Sequence, residues 1–483
     1  MKLPSWKIVI IGGGPGGYVA AARCAALGGQ VTLVEKENLG GTCLNWGCIP
    51  SKIMKNSADL FCKCMTADKL GIRIQGAVSA DIRALMARKD KVLEDQRKGI
   101  AALMDKNRVQ VVMGHARIAG TGQVTVTGKD IGKTVLEYDR LILAPGTAPL
   151  ELPGFPFDQD RILSSNDMLC LDALPGSMTI LGGGVIGCEF AFIFSALGCE
   201  VTLVEGMSRL LPLPSVDAAC SKLLLREMKK KKIKVYCDTV VIGANASGSG
   251  VDMALSLSPF TDNPSAKPPK KESISSDVMG VCIGRSPLSK DLGLETIGLD
   301  TDKGGWIPVD NTMQTPVENV YAIGDILGPD HIMLAHVASH EGLVAAENAM
   351  NGGEKKAVMS YHAVPGAIFT MPEIATVGLS EQVAKDQGIA VETASVNFRI
   401  LGKAQAIDEI AGQAKMIVHA TSKKVLGVHL IGAHATDLIA EATLAIEKGM
   451  TADEVAHTIH AHPTLAEITG EVAAKVMGTP VHG

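Results

Sequence analysis

Lys7-Ile-Val-Ile-Ile-Gly-Gly-Gly-Pro-Gly-Gly17 decides the fold, because it reads as a buried strand, a glycine turn and the start of a helix. Val31-Thr-Leu-Val-Glu35 follows as a second strand ending in an acid. The same pattern returns later in the chain. Met178-Thr-Ile-Leu-Gly-Gly-Gly-Val-Ile-Gly187 repeats the first element and Val201-Thr-Leu-Val-Glu205 the second, at an offset of 170 residues for both glycines and acids. Two complete βαβ nucleotide-binding units are therefore encoded.

Between the units the pattern predicts helical segments over about 58–104 and strand-like pieces at 109–112 and 141–143. Residues 218–232 read as a helix whose Lys229 to Lys232 run suits a C-terminal dipole. Residues 256–273 are rich in Pro, Ser and Lys and read as a mobile surface excursion without function of its own. Short apolar strands then lead to Tyr321-Ala-Ile-Gly-Asp325, followed by a helix over about 335–350. Residues 351–483 alternate strands (416–418, 426–431) with amphipathic helices such as 438–448, which suggests a separate α+β domain. The expected class is α/β, with two Rossmann-like dinucleotide-binding domains and a C-terminal α+β dimerisation domain.

The 483 residues, 46% apolar, suit three or four domains with sizeable cores. A net charge of -5 argues against nucleic acid or anionic membrane as a main partner, since both reward a basic face. Residues 176–199 are weakly charged, with Glu189 alone interrupting, but Gly182, Gly183, Gly184 and Gly187 fit a strand, turn and helix start better than a membrane span. Lys7 already leads into the first strand, leaving no room for a signal or transit peptide, so the expected location is cytoplasmic. Most of the eleven cysteines should then be reduced and inert. Cys62 and Cys64, alternate residues on a helix, face apart.

In Gly12-x-Gly14-x-x-Gly17 the first glycine permits the turn, the second admits a pyrophosphate to the backbone and the third lets helix and strand pack. The helix N-terminus supplies N–H groups to the phosphates, and Glu35 is placed for ribose hydroxyls. Gly182, Gly184 and Gly187 repeat the arrangement. Glu205 would repel the 2′-phosphate of NADP, so NAD is preferred; Arg209 nearby reads as a solvated surface residue. The first unit lies close to a pair of cysteines, which suggests FAD there and NAD in the second.

That pair is Cys43 and Cys48, in Gly40-Gly-Thr-Cys-Leu-Asn-Trp-Gly-Cys-Ile-Pro-Ser-Lys52. A disulfide across a helical start is geometrically possible where the backbone loosens at Gly47. Two inert thiols or half a zinc site are the other readings, but zinc needs two further ligands and no tight partner group is evident, so no metal is expected.

This string, both glycine motifs, Tyr321-Ala-Ile-Gly-Asp325 and His460-Ala-His-Pro-Thr-Leu-Ala-Glu467 together resemble the dihydrolipoamide dehydrogenase family across nearly the whole chain. The resemblance implies a homodimer using FAD and NAD, divided into an FAD-binding domain (1–150), an NAD-binding domain (151–276), a central domain completing the FAD site (277–350) and an interface domain (351–483). It implies oxidation of dihydrolipoyl groups on the lipoyl domains of 2-oxo acid dehydrogenase complexes and on the glycine cleavage protein. Cys43 would exchange with substrate sulfur and Cys48 would lie against the flavin. Lys52 would sit near the flavin and pair with Glu189, and Asp325 would meet the ribityl chain. Gly114, Gly146, Thr147, Ala335 and Gly284 extend the implied cofactor contacts. His462 would be the base, acting on the partner's disulfide, with Glu467 fixing its tautomer and Pro463 starting the following helix. His457 and His460 compete for that role. Pro145 stands where the family pattern has threonine, removing one backbone donor beside the expected flavin.

Glutathione and mercuric reductases are the nearest alternatives within the same chemistry. Glu205 disfavours the NADP-linked enzymes, and Cys282 is the last cysteine, so no C-terminal thiol pair exists. A flavin-binding structural protein without turnover is the reading from a different class.

Overall fold

The computed structural model describes residues 6–351 and 357–482, which fall into two compact units. The first comprises residues of 1–53, 83–150 and 284–361, and the second residues of 54–82, 151–283 and 362–483.

In the first unit the strand Lys7–Ile11 pairs in parallel with Gln30–Glu35 on one side and Arg140–Leu143 on the other. Val320–Ala322 and Gln110–Met113 complete a five-stranded parallel sheet. Its central strands are apolar runs buried on both faces, as a parallel sheet covered by helices demands, while the edge strand Gln110–Met113 is partly exposed. The helices Pro15–Ala26 and Ala335–Met350 pack on each other through glycine: a Cβ on Gly342 would lie 2.6 Å from Gly16 O. An antiparallel sheet of His115–Gly120, Gln123–Gly128 and Gly132–Glu137 is appended.

The second unit repeats this plan. Ser177–Leu181 pairs in parallel with Glu200–Val204 and Val278–Val281, in a sheet edged by Lys234–Tyr236 and Ile162–Ser164. Its own antiparallel sheet consists of Thr239–Ser247, Gly250–Leu257 and Ser273–Ser276. The unit also holds a five-stranded antiparallel sheet over residues 366–432, backed by the helices Ala435–Glu447 and Glu467–Val476.

Several details depart from the sequence reading. The helical segments read over 58–104 are Cys48–Met65 and Ile82–Lys106, and the first of them starts ten residues earlier than expected. The predicted helix over 218–232 ends at Lys230, and Lys232 takes a left-handed φ of +61°. The 256–273 excursion is shorter and better anchored than expected. Strand continues to Leu257 and resumes at Ser273, and the Asp238 carboxylate accepts hydrogen bonds from Thr261 and Asn263 between them. Among the described residues no helix is long and apolar enough to cross a membrane.

Candidate functional site

The two glycine turns are built alike. Gly12 and Gly182 have φ of +105° and +100°, where a side chain would meet the carbonyls of Ala144 at 2.0 Å and Cys282 at 2.4 Å. A Cβ on Gly17 or Gly187 would lie 1.8 or 1.9 Å from the carbonyl of Gly12 or Gly182, so close packing of helix on strand excludes any side chain there. Gly14 and Gly184 are different. Their φ of -71° and -72° suit any residue, and a Cβ would meet only Gly41 Cα at 3.8 Å in the first turn and nothing within 4 Å in the second. Nothing inside the protein requires glycine at these two positions. The space left open faces helix N-termini that no side chain caps, which is the cradle a pyrophosphate fills.

The acids that end the second strands are equally matched. Glu35 accepts hydrogen bonds from the N–H of Gly13 (2.7 Å) and Glu37 (2.8 Å); Glu205 accepts from Gly183 (2.5 Å) and Met207 (2.7 Å). Both carboxylates are buried and held at the rim of the glycine turn, where ribose hydroxyls would arrive. Gly114 N–H donates to Glu35 O at 2.8 Å, bringing that glycine to the same strand end. Arg209 is not the solvated residue the sequence suggested: its guanidinium donates to Leu211 O, Leu213 O and the Ser221 hydroxyl.

The cysteine string packs directly on the first turn. Gly40 N–H donates to Gly13 O at 2.8 Å, and Gly41, with φ +55°, would place a Cβ 2.6 Å from Gly14 Cα. A short helix, Gly41–Trp46, starts there and carries Cys43. Asn45 fixes it, donating to the carbonyls of Gly41 and Leu39 and accepting from Arg97 Nε at 2.7 Å. Gly47 interrupts the helix with φ -150° and ψ -107°, and the helix Cys48–Met65 begins afresh beyond it. The two thiols flank this break in the dithiol form, hydrogen-bonded to each other. That hydrogen bond, together with burial, pushes the Cys43 thiol well above the usual range, while the positive charge of Lys52 acts in the opposite sense.

Four cysteines outside the pair are kept inert chiefly by burial. Burial raises the thiols of Cys24, Cys199 and Cys220 to about 12, and Cys188 also lies well above its ordinary value.

Around Asp325 the first unit gathers residues distant in sequence. Thr147 and Arg285 sit on a two-stranded ribbon, Thr147–Pro149 with Arg285–Pro287. Arg285 donates to the Thr147 hydroxyl (2.6 Å) and carbonyl (2.7 Å), and the hydroxyl donates on to Asp325 (3.3 Å). Burial raises the Asp325 carboxyl, opposed by Arg285 and Thr147. Gly146 and Gly284 bracket the ribbon in positive φ, at +71° and +145°. Behind Asp325 the carboxylate of Glu341, on the helix opened by Ala335, accepts from Gly324 N–H (2.6 Å) and from the Tyr361 hydroxyl (2.7 Å). Arg285 and Glu341 escaped the sequence reading. Their partners are too remote in sequence for spacing to betray them.

In the second unit Glu189 is buried on the helix Val185–Leu197 and accepts the Phe369 N–H at 2.9 Å. His462 Nδ1 lies 2.9 Å from Glu467 Oε1, whose other oxygen accepts the Thr464 N–H. Burial pushes the Glu467 carboxyl up, but these hydrogen bonds outweigh it and hold it below the ordinary value. The His462 side chain is 75% exposed, whereas His460 is 11% exposed and tied to Glu441 at 2.9 Å. Pro463 does not start the next helix, which begins at Glu467.

Comparison with known proteins agrees with this construction. The family described as "Pyridine nucleotide-disulphide oxidoreductase" matches residues 6–342, and its "dimerisation domain" matches 364–473. A dihydrolipoyl dehydrogenase of Chlamydia muridarum is 41% identical over 482 residues, covering 99% of this chain and 98% of the relative. One from Geobacillus stearothermophilus is 39% identical, covering 99% and 97%. The crystal structure of LpdA from Mycobacterium tuberculosis superposes with a TM-score of 0.88 at 27% identity, covering 98% of this chain and all of that one. With full-length identity at this level, this chain belongs to the pyridine nucleotide-disulphide oxidoreductase family, among its dihydrolipoyl dehydrogenases.

Proposed function

We propose that this enzyme oxidises protein-bound dihydrolipoyl groups to the lipoyl disulfide and reduces NAD to NADH. One observation carries the reading: Cys43 and Cys48 flank a helix break that is packed on a dinucleotide turn. FAD, when bound at that turn, supplies an electron-pair relay between the cysteine pair and the nicotinamide. The first glycine motif, Glu35, Gly114, Gly146, Thr147, Asp325 and Ala335 would hold it, with Lys52 beside it and paired with Glu189. Gly182, Gly184, Gly187, Glu205 and Gly284 would hold NAD.

In the oxidised enzyme, His462 takes the proton of one substrate thiol, and the resulting thiolate attacks Cys43 and expels Cys48 as a thiolate. The second substrate thiol then displaces Cys43 and leaves as the lipoyl disulfide. Both cysteines are thereby reduced by the two electrons the substrate has lost. Glu467 keeps Nδ1 protonated so that Nε2 acts as the base. The domain scheme follows the same reading: flavin domain 1–150 with 277–350, nucleotide domain 151–276, interface domain 351–483. The dimerisation match supports a homodimer, lipoyl domains are its macromolecular partners, and its setting is the cytoplasm.

Anaerobic addition of dihydrolipoamide to the purified protein should produce a long-wavelength absorption band, and then NADH once NAD is supplied. Cys43→Ser and Cys48→Ser should each abolish turnover. A protein that reduces glutathione disulfide or mercuric ion with NADPH faster than lipoamide with NADH overturns the substrate assignment.

A further inference from the structure

The segment that leaves the strand Gly250–Leu257 is clamped to the turn following Glu205. Ser258 N–H donates to Asp238 O at 2.8 Å, and Asp238 N–H donates to Met207 O at 3.0 Å. The Ser258 hydroxyl accepts the Phe260 N–H at 3.1 Å, while the Asp238 carboxylate holds Thr261 and Asn263. A Cβ built on Gly206 would stand 3.2 Å from Ser258 Oγ and 3.9 Å from Phe260 Cδ2, so the loop touches the turn itself. Beside it the Ser208 hydroxyl and N–H hold the Asp262 carboxyl below its ordinary value, with a smaller pull from Arg209. Arg209, the one cation of that turn, is already engaged with Leu211, Leu213 and Ser221.

In a βαβ unit the acid at the end of the second strand reads the ribose, so the adenosine lies against the turn that comes next. Phe260 stands at that turn with 70% of its surface in water. An aromatic ring exposed where a purine must lie offers it a stacking face. A second carboxylate at the same turn adds to the charge that repels a phosphorylated ribose.

We propose that residues 258–263 complete the adenosine site of the second unit: Phe260 stacks on the adenine, and Asp262 joins Glu205 in excluding a 2′-phosphate. The inference rests on the dinucleotide reading of this unit and assigns it a selecting wall. Calorimetric titration of the FAD-containing protein with ADP-ribose, and with its 2′-phosphorylated counterpart, tests both without relying on turnover. The wild-type protein should prefer ADP-ribose. Phe260→Ala should weaken ADP-ribose binding by about fivefold or more, and Phe260→Trp should keep it. Asp262→Ala should shift the preference toward the 2′-phosphorylated ligand by roughly fivefold. Unchanged binding in Phe260→Ala refutes the stacking, and an unchanged ratio in Asp262→Ala refutes the exclusion. Failure of the wild-type protein to bind either ligand refutes the underlying reading of the unit instead.

Discussion

A histidine base gains when one ring nitrogen is anchored and the other is open to the reacting group, and His462 has Nδ1 on Glu467 and an exposed ring. His462→Gln should lower the turnover number by about 10²- to 10⁴-fold, measured with saturating dihydrolipoamide and NAD, while flavin content stays at the wild-type level. Glu467→Gln should cost less and should change the pH profile, because the amide still occupies the space but no longer stabilises a charged ring. The folded Glu467 carboxyl is depressed, so its contribution is complete above the ordinary carboxylate range and fades as pH falls through the depressed value. This pair was legible because it lies within five residues. Arg285 on Thr147 and Glu341 on Gly324 were not, since nothing local marks a residue whose partner arrives from another strand or helix.

The glycine turns were the most readable elements, because an L side chain is sterically impossible at four of their positions and the strands beside them are buried on both faces. Gly17→Ala should therefore cost flavin retention, measured by the absorbance ratio of purified protein, and Gly187→Ala should cost NAD binding, measured by titration, with flavin retained. In the appended antiparallel sheets Gly132–Glu137 left little trace, because it is largely exposed, whereas the alternation Val251, Met253, Leu255 of Gly250–Leu257 was there to be read. The helix start at Cys48 was hidden inside the redox string.

Another element-scale feature is the tie between the helix Ala218–Lys230 and the strand Gln413–His419. Lys415 donates to Asp217 at 2.8 Å and to Glu381 at 2.5 Å, and Asp217 also caps the helix. Burial raises Asp217 and lowers Lys415, yet the bridge reverses both, leaving the acid depressed and the amine raised. A depressed acid stabilises above its unfolded value of about 3.9 and loses that as pH falls; a raised amine stabilises below about 10.4 and loses that as pH rises. Lys415→Met should remove on the order of 3 kcal/mol at neutral pH, read by denaturant unfolding, and should flatten the acid limb.

At the scale of the whole molecule, a dimerisation domain and a histidine proposed to serve the partner's disulfide predict complementation. Sedimentation should give a dimer. Mixing a Cys48→Ser chain with a His462→Gln chain, each inactive alone, should restore activity after subunit exchange, since one of the two hybrid sites is then intact. No recovery would place the histidine on its own chain's sulfurs. The deep burial of Cys24, Cys188, Cys199 and Cys220 has a further effect on the assembled enzyme. A thiol raised to about 12 exists as thiolate at neutral pH only to about one part in 10⁵. Peroxide or glutathione disulfide would thus react with these four sulfurs far more slowly than with an accessible thiolate, which keeps them out of exchange with the working pair.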